Sequence, residues 1–170
     1  EENDPKLVVK IMNSYFKEMA EAIQDEGGLV LQFIGDEIYA VFGAPVFRPD
    51  HPARAFRAGL EMRRRLVELN KHFEEKGWPK LSHGIGVHTG EALAANIGSP
   101  DRLSYLLVGD TVNLASRLQS LTKEKNTDMI ISSVTHSFLN EIDFNKSKFN
   151  QLPPTQVKGK NQWVEVFALA

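Results

Sequence analysis

Three short segments of this 170-residue sequence carry residue types that could bind phosphate or a hard cation. Gly35-Asp36 separates two apolar, β-branched runs, LVLQFI and EIYAVFG. A hairpin tip holds a carboxylate clear of the apolar faces beside it. Such an oxygen suits Mg²⁺, which takes one or two carboxylates and completes its shell with phosphates and water. An ordinary turn aspartate fits the same spacing. Residues 109–120, GDTVNLASRLQS, place Asn113 and Arg117 four apart, on one helical face. An amide beside a guanidinium suits an anion, because arginine offers a fork of donors to phosphate oxygens. A solvated helix face has the same appearance. Val157-Lys158-Gly159-Lys160 sets two lysines around a glycine, which suits either a polyphosphate or a surface turn.

Other polar groups point to less. His83 and His88 are five apart, which on one strand puts them on opposite faces and makes no metal pair. Arg63-Arg64-Arg65 reads as the solvated face of a long helix. Asn145-Lys146-Ser147 matches a glycosylation acceptor but has no secretory context. No nucleophile elbow, Walker sequence or Gly-x-Gly-x-x-Gly occurs.

The elements that must position these residues follow from periodicity. Residues 5–26 form an amphipathic helix, with Leu7, Val8, Ile11, Met12, Tyr15, Phe16, Met19 and Ile23 at three- and four-residue spacings. Asp4 caps it and Pro5 opens it. The two apolar runs around Gly35-Asp36 form a tight hairpin of buried strands, with the turn order reversed from the commonest Asp-Gly. Asp50 caps a long helix over 51–76, which Gly77 stops. Two strands fall within 81–97, a turn over 98–101, a strand at SYLLV, a helix over 109–122, a strand at MIIS and a short helix over 133–140. Pro153-Pro154 breaks the chain before a last strand, WVEVFAL. This order predicts an α+β fold with an antiparallel-rich sheet and helices on one face. One strand ahead of residue 1 would complete βαββαβ, the ferredoxin-like unit.

Composition narrows the class. Lysine and arginine number 20 against 22 acidic residues, a net charge of −2, so no global positive field favours nucleic acid. The absence of cysteine removes disulfides, Cys-ligated zinc and thiol nucleophiles. No apolar run approaches the length of about 18 residues that reads as a bilayer span. The acidic start, EENDPKLVVK, is unlike a signal peptide, and a cytoplasmic domain is expected.

Taken in order, GGLVLQFIGDEIYAVFGAP (27–45), HPARAFRAGLEMRRRL (51–66), GIGVHTGEALAANIGS (84–99), LLVGDTVNLASRL (106–118) and VKGK (157–160) resemble the class III adenylate/guanylate cyclase catalytic domain across nearly all of residues 1–170. The resemblance implies conversion of a nucleoside triphosphate to a 3′,5′-cyclic nucleotide and pyrophosphate, with two Mg²⁺ or Mn²⁺ ions per site. It aligns Asp36 with the second of two metal-binding aspartates. Asn113 matches the asparagine that positions the ribose, Arg117 the arginine at the α-phosphate, and Lys158 the lysine at the terminal phosphates. It further implies a head-to-tail homodimer in which one protomer brings the metal ligands and the other brings the asparagine and arginine. Domains of this family are commonly fused to upstream sensory or membrane regions, so membrane attachment of a longer protein is compatible with a cytoplasmic catalytic domain.

Three departures from the family pattern stand out. The family's opening strand, a Phe-x-Asp-Ile-x-x-Phe-Thr-like segment with the first metal aspartate, has no counterpart here, so the domain reads as N-terminally incomplete. Gln32 stands where adenylate cyclases have lysine and guanylate cyclases glutamate. Leu106 stands where aspartate, threonine or cysteine completes base selection. Glutamine carries both a donor and an acceptor and leucine neither, so the pattern leaves the purine open; ATP is favoured, with GTP the alternative. A catalytically degenerate homology domain, serving as a regulatory dimerisation or nucleotide-sensing module, is the rival reading. A diguanylate cyclase would need a Gly-Gly-Asp/Glu-Glu-Phe turn, and an RNA-binding module an aromatic-rich strand and a basic patch; neither is present.

Overall fold

The computed structural model describes residues 4–99, 102–145, 147–156 and 163–170. The chain divides into two compact units, residues 1–82 and 83–170.

In the first unit, helix α1 (Pro5–Asp25) starts where Asp4 accepts a hydrogen bond from the backbone N–H of Lys6 and Pro5 supplies a pre-set φ. Ile11, Tyr15, Met19 and Ile23 of the expected stripe are buried, together with Ala22, whereas Val8 is exposed. Strands β1 (Leu29–Ile34) and β2 (Glu37–Val41) pair antiparallel, with Ile34 opposite Glu37 at the tip. Helix α2 (His51–Glu75) follows and packs on α1. Tyr15, Met19 and Leu66 are the centre of this core, and Ile38 of β2 packs against them together with Met12, Phe16, Met62, Leu69 and Leu81. The hairpin therefore rests on the helix pair through one face.

Two expectations change here. The hairpin strands are not buried: Phe33 is 47% and Ile34 50% exposed, because among the described residues β1 and β2 pair only with each other. The arginine run is also not wholly a solvated face. Arg65, whose side chain is 15% exposed, reaches Glu61 on its own helix and Glu21 and Asp25 on α1, at 2.8, 3.3 and 2.7 Å. It clamps α2 to α1.

In the second unit, β3 (Ile85–Val87), β6 (Met129–Ser132), β8 (Trp163–Leu169) and β7 (Phe149–Gln156) form one sheet in the order β3-β6-β8-β7. The β3–β6 pair is parallel and the others antiparallel. β4 (Leu93–Ser99) and β5 (Arg102–Val108) form a separate antiparallel ribbon. Helix α3 (Asp110–Glu124) covers the sheet, with Leu114 and Leu118 buried against Ile130, Val166 and Ala168. The short helices α4 (Ser133–Ser137) and α5 (Glu141–Asn145) follow β6. β6 is buried along its whole length, which explains why MIIS is apolar without alternation.

α3 lies directly on β3. A Cβ added to Gly86 would stand 2.3 Å from the backbone N of Gln119 and 2.4 Å from the carbonyl O of Ala115, and one on Gly84 would stand 2.0 Å from Thr122 Oγ1. Only hydrogen fits between strand and helix at these positions.

Pro153-Pro154 does not break the chain: β7 runs through it. The prolines sit at a register shift: Leu152 pairs with Val166 and Thr155 with Val164, so two residues of β7 oppose Glu165 alone. Missing amide donors are tolerated at such a bulge, where ladder bonds are interrupted anyway.

Two outcomes follow from this packing. Gly86→Ala lowers stability by about 2 kcal/mol or more, as overpacking against backbone does, read by chemical denaturation. Glu61 is held down to about 2 from an ordinary 4.5, chiefly by its hydrogen bond from Arg64, with burial opposing and Arg65 adding to the depression. A depressed carboxyl contributes stability that is fully present above its unfolded value and is lost as pH falls through its folded one. The melting temperature of the wild type therefore drops between pH 4.5 and about 2, and replacing both Arg64 and Arg65 with methionine flattens that slope.

Candidate functional site

The turn at the hairpin tip gives Asp36 its exposure. Gly35 has φ of +62°, while Asp36 is not among the residues with positive φ. Glycine at the first corner with an ordinary residue at the second is the type II′ arrangement, whose twist matches the flanking strands. The reversed Gly-Asp order is therefore the one this turn requires. Asp36 is exposed, and Gln32, also exposed, sits opposite Tyr39 on the same hairpin. Residue 31 is the extra residue of a bulge between Val30 and Gln32.

Tyr15, one of the apolar-stripe positions of α1, feels the charge of Asp36. Its phenol is pushed up to about 12, mainly by burial and further by the negative charge of Asp36. A tyrosine within an apolar stripe carries no signal of that proximity.

Asn113 and Arg117 stand on the exposed side of α3, while Leu114 and Leu118, on the adjoining side of the helix, are buried in the core. The helix start is fixed by Thr111, whose hydroxyl donates to the carbonyl of Glu91 beyond β3. Arg117 Nε donates to Thr155 Oγ1 on β7 at 3.4 Å. Arg54, Arg57, Arg64 and Arg65 all have carboxylate partners. Arg117 has none within ion-pair distance among the described residues.

Leu106, on β5 opposite Ala95, is half-buried and brings no polar group. Lys158 lies outside the described residues. His88 Nδ1 is 2.8 Å from Ser132 Oγ, which is 3.2 Å from Thr135 Oγ1, and Thr135 meets Thr89 at 2.9 Å. Burial lowers His88 from its ordinary value, so it acts as a neutral hydrogen-bonding group tying the end of β3 to α4. Among the described residues no three histidine, aspartate or glutamate side chains converge as a preformed metal cage. No described helix is long and apolar enough to cross a membrane.

An exposed carboxylate on a hairpin tip and an Asn/Arg helix face are carried here by a mixed α+β chain that matches the adenylate and guanylate cyclase catalytic domain over residues 1–170. The solved guanylyl cyclase Cya2 is similar, with 36% identity and a TM-score of 0.88 over 99% of this chain and 83% of that one. The adenylyl cyclase CyaB from P. aeruginosa has 25% identity and a TM-score of 0.84 over 99% and 85%. Adenylate cyclase 1 of Rhizobium meliloti (strain 1021) is 30% identical over 167 residues, 98% of this chain and 24% of its own length. The chain belongs to the adenylate and guanylate cyclase catalytic-domain family, and its fold is the cyclase fold. It spans about a quarter to a third of the length of the sequence relatives it matches.

Proposed function

We propose that this chain is the catalytic domain of a nucleotidyl cyclase that converts a purine nucleoside triphosphate, ATP in preference to GTP, to the 3′,5′-cyclic nucleotide and pyrophosphate. The observation that carries the reading is Arg117, without a carboxylate partner among the described residues, beside Asn113 on the exposed face of α3 in a chain of this family. The ribose 3′-oxygen forms a bond to the α-phosphorus, the bond from that phosphorus to the bridging oxygen breaks, pyrophosphate leaves and the 3′-proton passes to solvent. Asn113 orients the ribose, since an amide can both donate to and accept from hydroxyls. Arg117 presents guanidinium hydrogens to the α-phosphate oxygens as charge builds there, and Lys158 neutralises the terminal phosphates.

Asp36 fits a divalent cation as a single hard-oxygen ligand whose remaining positions belong to phosphates, water and a second carboxylate. Mg²⁺ or Mn²⁺, two per site, would supply charge neutralisation and an easier 3′-alkoxide. The sites form between two copies in a head-to-tail homodimer, each copy lending Asp36 to one site and α3 to the other. A cytoplasmic position and an upstream sensory or membrane region belong to the same reading. The regulatory alternative rests on Gln32 and Leu106, which together bring only one amide to base selection.

The domain with Mn²⁺ or Mg²⁺ is expected to make cyclic nucleotide from ATP or GTP. A folded dimer that makes neither product would leave the regulatory alternative. Arg117→Ala lowers kcat far more than it weakens nucleotide binding, because its partner charge develops in the transition state; equal losses would contradict the role. Mixing Asp36→Ala with Arg117→Ala restores up to about a quarter of the activity, because only half of the dimers are mixed and each of those has one intact site. Failure to recover on mixing would count against shared sites. Gln32→Lys raises the ATP/GTP ratio of kcat/KM and Gln32→Glu lowers it, each by about tenfold or more, as a site that hydrogen-bonds one base and leaves the other unpaired does.

A further inference from the structure

We propose that Thr155 is a positioning residue for Arg117, turned onto the α3 side of the sheet by the Pro153-Pro154 bulge and holding the guanidinium through Nε. The inference rests on the reading of Arg117 as the phosphate-facing cation.

In a regular strand, residues three apart point to opposite faces. Leu152 faces α3, since it packs against the cluster of Leu114, Leu118, Ile130, Val166 and Ala168. Without the bulge, Thr155 would face away from that cluster. The register shift between Leu152 and Thr155 inserts one residue and restores the parity. Thr155 is accordingly 7% exposed, on the α3 side, with Oγ1 3.4 Å from Arg117 Nε. The proline pair that disguises β7 in the sequence is thus what aims the threonine.

A guanidinium on an exposed helix face has many rotamers, and holding it in one geometry costs side-chain entropy. An acceptor at Nε removes part of that freedom and leaves Nη1 and Nη2, the two nitrogens suited to a bidentate phosphate contact. A neutral hydroxyl does this without cancelling the charge, whereas a carboxylate at the same place would satisfy the cation and compete with the phosphate. At 3.4 Å the contact is long, as hydrogen bonds of active sites often are before substrate closes on them.

The test compares Thr155→Val, Thr155→Ala and Thr155→Ser in the whole chain. The Nε–H resonance of Arg117, identified by its loss in Arg117→Lys, reports the contact without any need for turnover. Its solvent exchange is expected to quicken about fivefold or more in the Val and Ala variants and to return toward wild type in the Ser variant, as loss and recovery of a hydrogen bond to a charged group imply. In turnover, Thr155→Val lowers kcat about five- to thirtyfold with KM within about twofold, and serine restores most of it. A melting temperature matching wild type in either the Val or the Ala variant separates this from loss of fold. Unchanged Nε–H exchange in a folded Val or Ala variant, or no rescue by serine, overturns the proposal. A wild type with the expected exchange pattern but no cyclic-nucleotide product would overturn the cyclase reading while the Thr155–Arg117 contact stands.

Discussion

The second unit depends on the close approach of α3 to β3, which leaves no room for a side chain at Gly84 or Gly86. Gly84 and Gly86 bring the strand so near that Gln119 N, Ala115 O and Thr122 Oγ1 occupy the space where a Cβ would be. This contact sets the depth at which the helix sits. Leu114 and Leu118 then reach the sheet, and Asn113 and Arg117, on the adjoining side of the helix, stay exposed. Sheet packing and the presentation of the polar pair are thus one constraint. A helix held further out would loosen the core and move the guanidinium together.

Charge is distributed unevenly across the chain. The first unit ties its helices together with a cluster of carboxylates around Arg65, and α2 has further pairs at Arg54, Arg57 and Arg64. Most such exposed pairs contribute little each, so their value lies in a shared cation between two helices. On α3 the pattern reverses: Arg117 is held by a neutral hydroxyl and keeps its charge. Carboxylates surround the arginines that join α1 to α2, whereas the contact of Arg117 among the described residues is an uncharged hydroxyl.

Much of this was legible in the sequence, for reasons that differ by element. α1, α2, β6 and β8 follow from strong periodicity or unbroken apolar runs with clear stops. The Gly-Asp corner and the Asn/Arg spacing are local patterns, and local geometry sufficed to put Asp36 on a tip and Asn113 with Arg117 on one face. β7 was illegible because two prolines normally end a strand, and a bulge that excuses them is a property of pairing with β8. The exposure of β1 and β2 depends on which strands join their edges. Arg65 looked like one of three equivalent arginines because its partners Glu21 and Asp25 are about forty residues away in sequence. The proximity of Tyr15 to Asp36 is likewise tertiary.

The corner at the hairpin tip is directional. Its left-handed backbone falls on Gly35, and the acidic side chain comes one step later, on a residue whose backbone is ordinary. A chain with the two letters exchanged would have the same mass, charge and hydropathy. It would nonetheless ask an aspartate to adopt a conformation that glycine takes without strain, and it would shift the carboxylate back by one residue along the ribbon. What fixes the location of that negative charge is the order of two adjacent residues, a quantity to which composition is blind.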